Sequence, residues 1–291
     1  MTRPRPDIGQ AFRVINERQQ VWARNAGIPF ASDYSVEQID ENLFRPLRPE
    51  TRNEIASGDG KELDGKLKKL CSSAALVANV FDYWRNRTTI AGACFDLPEA
   101  RRMSFEKVRS IFDGILREDP ERKNPNIDLE LAGDETSGSV ALECKFTEPF
   151  VIYPQTRRPF TSTYFCPAAE PIWAGMDRTR ALAIRLNDES PLFTRLEAPQ
   201  LIKTALACKR NFRSGRWRLV YVWFEVVGDP LAAAECRFLL DELNDFREQT
   251  HGEIPLEVTT WQEVFLRLKA RSDLADSSYI AYLHERYFQH G

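Results

Sequence analysis

The sequence predicts an α/β fold, a central sheet flanked by helices with helical additions at both ends. Three observations carry this. Residues 127–131 and 140–146 are alternating apolar and polar runs joined by Ala132-Gly-Asp-Glu-Thr-Ser-Gly138. That is the period and punctuation of a β-hairpin. Leu63, Leu67, Leu70, Ala74, Val77, Phe81 and Trp84 recur in steps of four and three, which draws one helical stripe. Residues 217–227 are mostly β-branched or aromatic, as in a strand buried on both faces.

The chain has 291 residues, long for one domain but within range for an α/β enzyme with extensions. The expected division is a helical extension over 1–60 and a main unit over 61–291. With a net charge of −3 and a pI near 5.8, no global basic field attracts nucleic acid, so any such surface must be a local patch. Cysteines 71, 94, 144, 166, 208 and 236 show no C-x-x-C spacing and sit mostly among apolar residues. They read as free thiols of a reducing cytoplasm, with no zinc site. No signal peptide and no transmembrane-length apolar run is present, so a cytoplasmic protein without a membrane partner is expected. His251, His284 and His290 are too scattered for a histidine-based site, and no P-loop or G-x-G-x-x-G occurs.

Taken in order, Asp7 is placed to cap a helix that runs to about Asn25 and ends at Gly27 and Pro29. Short helices are expected around 36–44, and Ser57-Gly-Asp-Gly60 is a break. One long helix is expected over 61–84, with Gly65 weakening its first turn and Glu62 near its start. In 103–111 the spacing of Phe105, Val108, Ile111 and Phe112 fits a helix better than a strand. Pro149 marks a strand end. Residues 150–197 interleave rings and guanidinium groups: Tyr153, Arg157, Arg158, Phe160, Tyr164, Phe165, Trp173, Arg178 and Arg180. This composition suits stacking on unpaired bases, and equally a long segment packed over the core. Pro199 opens a helix to Arg210. A strand over 217–227, a helix over 231–250, a strand over 255–259 and helices over 261–271 and 276–288 complete the chain.

The hairpin carries the chemistry. On its polar face Asp128 is set near Glu143 and Lys145. Like charges that close call for a cation, and neutralising either carboxylate should stabilise the metal-free chain. Oxygen donors in small number suit Mg²⁺, which keeps waters and completes its shell from a phosphate. The lysine can then orient or help deprotonate an attacking water, as in phosphodiester hydrolysis. The other reading is a charge pair on the wet face of a surface hairpin. Acid-x-Lys triplets also occur at Asp59-Gly-Lys61, Asp64-Gly-Lys66 and Glu121-Arg-Lys123, but only Glu143-Cys-Lys145 lies inside an alternating apolar strand.

Asp128 followed by Glu143-Cys-Lys145 resembles the PD-(D/E)XK nuclease signature, with Ile127 where a proline usually precedes the acid. Pro125-Asn-Ile-Asp128, Glu143-Cys-Lys-Phe-Thr-Glu-Pro-Phe150 and Ser72-Ser-Ala-Ala-Leu-Val-Ala-Asn-Val-Phe81 resemble a bacterial restriction-endonuclease family within that superfamily. The resemblance implies a restriction-endonuclease-like core and an Mg²⁺-dependent DNA endonuclease, with Mn²⁺ able to substitute. Asp128 and Glu143 would hold the metal, the Cys144 carbonyl would add a ligand, and Lys145 would position the water. In several branches the first core helix supplies a further acid, a role that Glu62 matches in kind. The helix after the hairpin would offer Gln200 and Lys203, and Arg157 and Arg158 are candidate phosphate contacts. Glu148 reads as a surface acid or an aid to a second metal. The resemblance also makes the region around 103–111 the first core strand, against its local pattern. DNA is the expected partner and a homodimer is allowed. The rival functions are a repair or recombination nuclease on branched or single-stranded DNA, and a non-catalytic DNA-binding domain of the same fold.

Overall fold

The computed structural model describes residues 7–58, 62–63, 65–116, 124–134, 136–152, 158–188, 191–212 and 215–289. A two-residue strand, β1 (Asp7–Ile8), pairs with β5 (Val151–Ile152). The main sheet holds β2 (Arg102–Val108), β3 (Asn126–Ala132), β4 (Ser139–Cys144), β6 (Trp217–Trp223) and β7 (Leu256–Thr260), in that spatial order. The first three strands are antiparallel, and β4, β6 and β7 are parallel. A short loop suffices between β3 and β4, whereas parallel neighbours need crossovers. The chain supplies these with α5 (Asp177–Asp188) and α6 (Ala198–Asn211) before β6, and α7 (Pro230–Thr250) before β7. The other helices are α1 (Gln10–Asn25), α2 (Pro49–Ser57), α3 (Ser73–Phe81), α4 (Thr88–Ala93), α8 (Trp261–Lys269) and α9 (Ser277–Leu283). The sheet is thus mixed and flanked by helices, consistent with the core that the resemblance implies.

Helices cover both faces of the hairpin. Leu129, Leu131 and Leu142 are 0% exposed on one face, while on the other Glu143 is 0% and Lys145 7% exposed. The charged face is therefore not the wet side of a surface hairpin. Most buried apolar side chains from Ala11 to Phe288 form one continuous core, and Trp22, Ala23, Val36 and Leu70 form a second, small cluster.

Three expectations are corrected. The long helix over 61–84 is broken into a 3₁₀ turn at Lys66–Lys68, an extended bridge between Lys69 and Ser35, then α3, a second 3₁₀ stretch at Asp82–Arg87, and α4. The Ser72 hydroxyl accepts the Ala75 N–H and starts α3 afresh. The apolar stripe is nevertheless satisfied, because Leu67, Leu70, Val77, Phe81 and Trp84 are all buried. Lys61 and Asp64 lie outside the described residues.

Residues 103–111 do not form a helix. Met103 and Phe105 pair across the ladder with Leu131 and Leu129 as part of β2, so strand pairing overrides the local spacing. Ile111 and Phe112, which suggested the helical period, are buried just beyond the strand.

Asp7 does not cap α1, because it belongs to β1. The first amides of the helix, those of Gln10 and Ala11, donate instead to the Glu235 carboxylate at 3.1 and 2.9 Å. The helix ends where expected, with Gly27 in the left-handed region at φ 69°. α2 has no counterpart in the sequence reading, although Pro49 stands in its first turn.

The aromatic segment packs inward. Phe160, Tyr164 and Trp173 are buried, and Trp173 stacks on Phe165. Arg180 pairs with Glu170, and Arg158 and Arg178 are exposed. Tyr153 and Arg157 lie outside the described residues. All six cysteines are free thiols. Among the described residues no helix is long and apolar enough to cross a membrane.

Candidate active site

The strand register assembles the site. Leu129 pairs with Leu142, so one step on, Asp128 stands across from Glu143. On the other side of β3, the pairs Phe105–Leu129 and Lys107–Ile127 bracket Glu106 and Asp128. Side chains directly across a ladder share a face. Glu106, Asp128 and Glu143 therefore form one row across β2, β3 and β4, and Tyr221 of β6 continues it beside Glu143.

Each acid is held differently. An Asp128 oxygen accepts the Cys144 N–H at 2.6 Å, which ties its side chain to the end of β4. Glu143 Oε1 receives the Lys145 ammonium at 2.6 Å, while its Oε2 is buried with no hydrogen-bond partner. Glu106 takes a positive φ of 46°, which kinks β2 at that residue. Glu130, on the same face, is taken by Arg109, with Nε to Oε2 at 2.9 Å and Nη2 to Oε1 at 2.6 Å. It is thereby separated in role from its three neighbours.

Charge is expensive here, and the titrating groups reflect it. Burial pushes the Asp128 carboxyl well above its ordinary value, with help from the charges of Glu143 and Glu106. Glu143 is raised by burial despite the opposing pull of Lys145. Glu106 is pushed up to about 7 by burial and the neighbouring Glu62. For Lys145, burial works against the charge, but Glu143 and Asp128 outweigh it and the ammonium is held well above its usual range. In the metal-free chain the neighbouring acids thus favour the charged form of Lys145.

The remaining expected residues divide into those brought to this cluster and those kept from it. Gln200 Oε1, near the start of α6, accepts from Lys145 Nζ at 2.9 Å, and the exposed Glu197 carboxylate lies 3.6 Å from it. The Trp261 indole donates to the Lys145 carbonyl at 3.0 Å and anchors the backbone there. Cys144 faces the apolar side, and burial raises its thiol far above the usual value, so only its backbone is near the acids. Glu62 is 4% exposed in the turn before the first 3₁₀ stretch, with Oε1 paired to Lys66 at 2.6 Å and Oε2 buried without a partner. Lys203 is not brought to the cluster, because its amine donates to the Pro159 carbonyl at 2.8 Å and lies over the Phe160 and Tyr164 rings. Glu148 acts in its own turn: Oε2 accepts the Phe146 and Thr147 amides, and Oε1 accepts the Ser73 hydroxyl at 2.5 Å. Arg158 is exposed on its loop. Glu106 was missed because the helical reading of 103–111 hid the alternation Met103, Phe105 against Ser104, Glu106.

Chemically, this is a row of carboxylates, buried at Glu143 and half-buried at Asp128 and Glu106, with one lysine locked onto it. Its donors are hard oxygens, and two buried carboxylate oxygens without hydrogen-bond donors are what a small divalent cation would satisfy. Among the described residues no three Asp, Glu, His or Cys side chains close around one point as a metal cage requires. An ion here would therefore complete its shell with water or substrate oxygens.

Comparison with known proteins bears on this geometry. No curated protein and no solved structure matches the chain. The model of one family, described as "Restriction Endonuclease associating with ARP", matches residues 14–288, almost the full length and all of the sheet. A match of that extent, over a mixed sheet with this acid and lysine arrangement at its centre, shows that the chain belongs to the family of restriction endonucleases associating with ARP.

Proposed function

We propose that this chain is an Mg²⁺-dependent DNA endonuclease of the PD-(D/E)XK type. The observation that supports it most is the Glu143–Lys145 pair, buried beside Asp128 with one Glu143 oxygen lacking a hydrogen-bond partner. Burying two charges and leaving an acceptor unsatisfied is costly for a merely structural pair. Asp128 and Glu143 hold the cation, with the Cys144 carbonyl and Glu62 as further ligands, and Mn²⁺ can substitute. When bound, the ion polarises the scissile phosphate and acidifies a water. The Asp128 bond to the Cys144 amide keeps that carboxylate oriented at the strand end. Lys145 donates positive charge toward the phosphate. Its ammonium, held by Glu143 and Gln200, orients the attacking water and stabilises developing negative charge. Gln200 fixes the direction of that ammonium. Arg157 and Arg158 contact the DNA backbone.

Single-turnover cleavage of duplex DNA with Mg²⁺ tests this. Lys145→Ala and Asp128→Asn should each lower the rate by roughly 10²-fold or more while DNA affinity changes little. Thermal melting confirms that the variants are folded. A folded variant of either kind that binds DNA and cuts at the wild-type rate overturns the proposal. Parallel nicked, branched and single-stranded substrates identify the preferred form.

A further inference from the structure

The acidic row extends past the hairpin, and a second lysine stands against it. Glu106 neighbours Asp128 in register, and the charges of both Glu62 and Glu143 bear on it. Lys66 is paired to Glu62 at 2.6 Å, and the charges of Glu106 and Asp128 also reach it. Its side chain is 67% exposed, so the ammonium can leave to water, while the carboxylate it holds is 6% exposed and cannot. Lys145 differs in this respect, with a side chain 9% exposed that is locked between Glu143 and Gln200.

The charges in this group do not balance. Glu62, Glu106, Asp128 and Glu143 are faced by Lys66 and Lys145, so two negative charges are left over when all are ionised. An independent observation points to a ligand. Glu62 Oε2 and Glu143 Oε2 are both buried and both lack a hydrogen-bond partner. Native interiors seldom leave such atoms unsatisfied. The two orphan oxygens belong to the two acids that flank Glu106 electrostatically.

We propose that Glu106 is a further carboxylate of the cation site, and that Lys66 is an internal counter-ion which a divalent cation displaces. This rests on the reading of Asp128 and Glu143 as metal-holding residues. In the metal-free chain Lys66 partly neutralises the outer end of the row, next to Glu62. A divalent ion brings twice the charge and, once Lys66 has left, draws Glu62, Glu106 and Asp128 oxygens around it; in the metal-free arrangement no three acids among the described residues surround one point. Cation binding is therefore a competition with Lys66, and freeing that side chain makes it available to a phosphate. Glu106 stands on the strand before the hairpin, so it couples β2 to the site.

The test is Mn²⁺ binding to the full chain without DNA, by titration calorimetry and by the rise in melting temperature on adding the ion. Glu106→Gln should weaken Mn²⁺ affinity by about tenfold or more. Lys66→Met, which keeps the aliphatic reach and removes the competitor, should strengthen it severalfold. Asp128→Asn separates the levels of the argument. If Asp128→Asn abolishes binding while Glu106→Gln and Lys66→Met both bind as wild type, this proposal is overturned and the two-carboxylate site stands. If the wild type binds no Mn²⁺, or Asp128→Asn binds as tightly as wild type, the underlying reading fails and takes this one with it. Opposite shifts in the Glu106 and Lys66 variants, read by both methods, support it.

Discussion

Asp128 and Glu143 are matched on paper, yet the structure separates them. From their contacts, neutralising the acid should relieve repulsion at Asp128 but not at Glu143. Asp128 is raised by burial and by two like charges, and Asn at that position still accepts the Cys144 amide. Asp128→Asn should therefore raise the melting temperature of the metal-free chain. Glu143 carries the buried Lys145 ammonium, so Glu143→Gln leaves that charge with the neutral Gln200 and the exposed Glu197. Removing one partner of a buried pair costs about 3–5 kcal/mol. Urea unfolding of both variants without metal should show shifts of opposite sign. Two shifts of the same sign would mean that the acids are not held as described.

At the scale of elements, α1 and α7 are joined by a cap supplied from a distance. Glu235 lies on α7, 225 residues from Gln10, and its carboxylate also pairs with Arg195 at 3.2 Å. It satisfies two amides that no local side chain reaches, where the helix dipole favours negative charge. Glu235→Ala should cost about 1–2 kcal/mol and speed amide exchange in the first turn of α1. Asp7→Ala should change stability by less than about 0.5 kcal/mol, since Asp7 is exposed and caps nothing. Equal costs for the two variants would return the capping role to Asp7.

Across the whole molecule, the C-terminal segment is fastened to the segment after α3 by polar contacts. Asp276, 0% exposed, accepts from Arg87 Nη1 at 3.2 Å and from the Tyr83 hydroxyl at 2.8 Å. Arg286, 2% exposed, reaches back to the Asn42 carbonyl at 2.7 Å and lies over the Trp22 ring. Burial works against the Asp276 charge, but Arg87, the Asp273 amide and the Tyr83 hydroxyl outweigh it and hold its pKa below the ordinary value. A depressed folded pKa means that the unfolded chain binds its proton first. The stabilisation is therefore present above about pH 4, the unfolded value, and is lost as pH falls through the folded one. Asp276→Asn should lower stability near pH 7 and flatten its fall below about pH 4. Urea midpoints across that range measure it, and an acid limb as steep as wild type would exclude Asp276 as a contributor.

What the sequence determined by itself was whatever depends on short-range period and punctuation. The alternation at 127–131 and 140–146 specified the hairpin, its facing and the pairing of Asp128 with Glu143, because a strand has only two faces and the turn sets the register. Pro199 and the apolar runs likewise placed α6, α7 and β6 within a few residues. Tertiary structure decided whatever depends on a partner far along the chain. β2 is a strand only because β3 offers it a ladder, so Glu106 was invisible to local spacing. The break at Ser72 was hidden because a kinked segment buries the same apolar stripe as a straight helix. The burial of the Glu143–Lys145 pair and the orphan oxygens of Glu62 and Glu143 belong to the same class, since both follow from how completely helices and loops remove water from those side chains. A sequence states which groups carry charge, whereas the free energy of that charge is set by the surroundings that folding places around it.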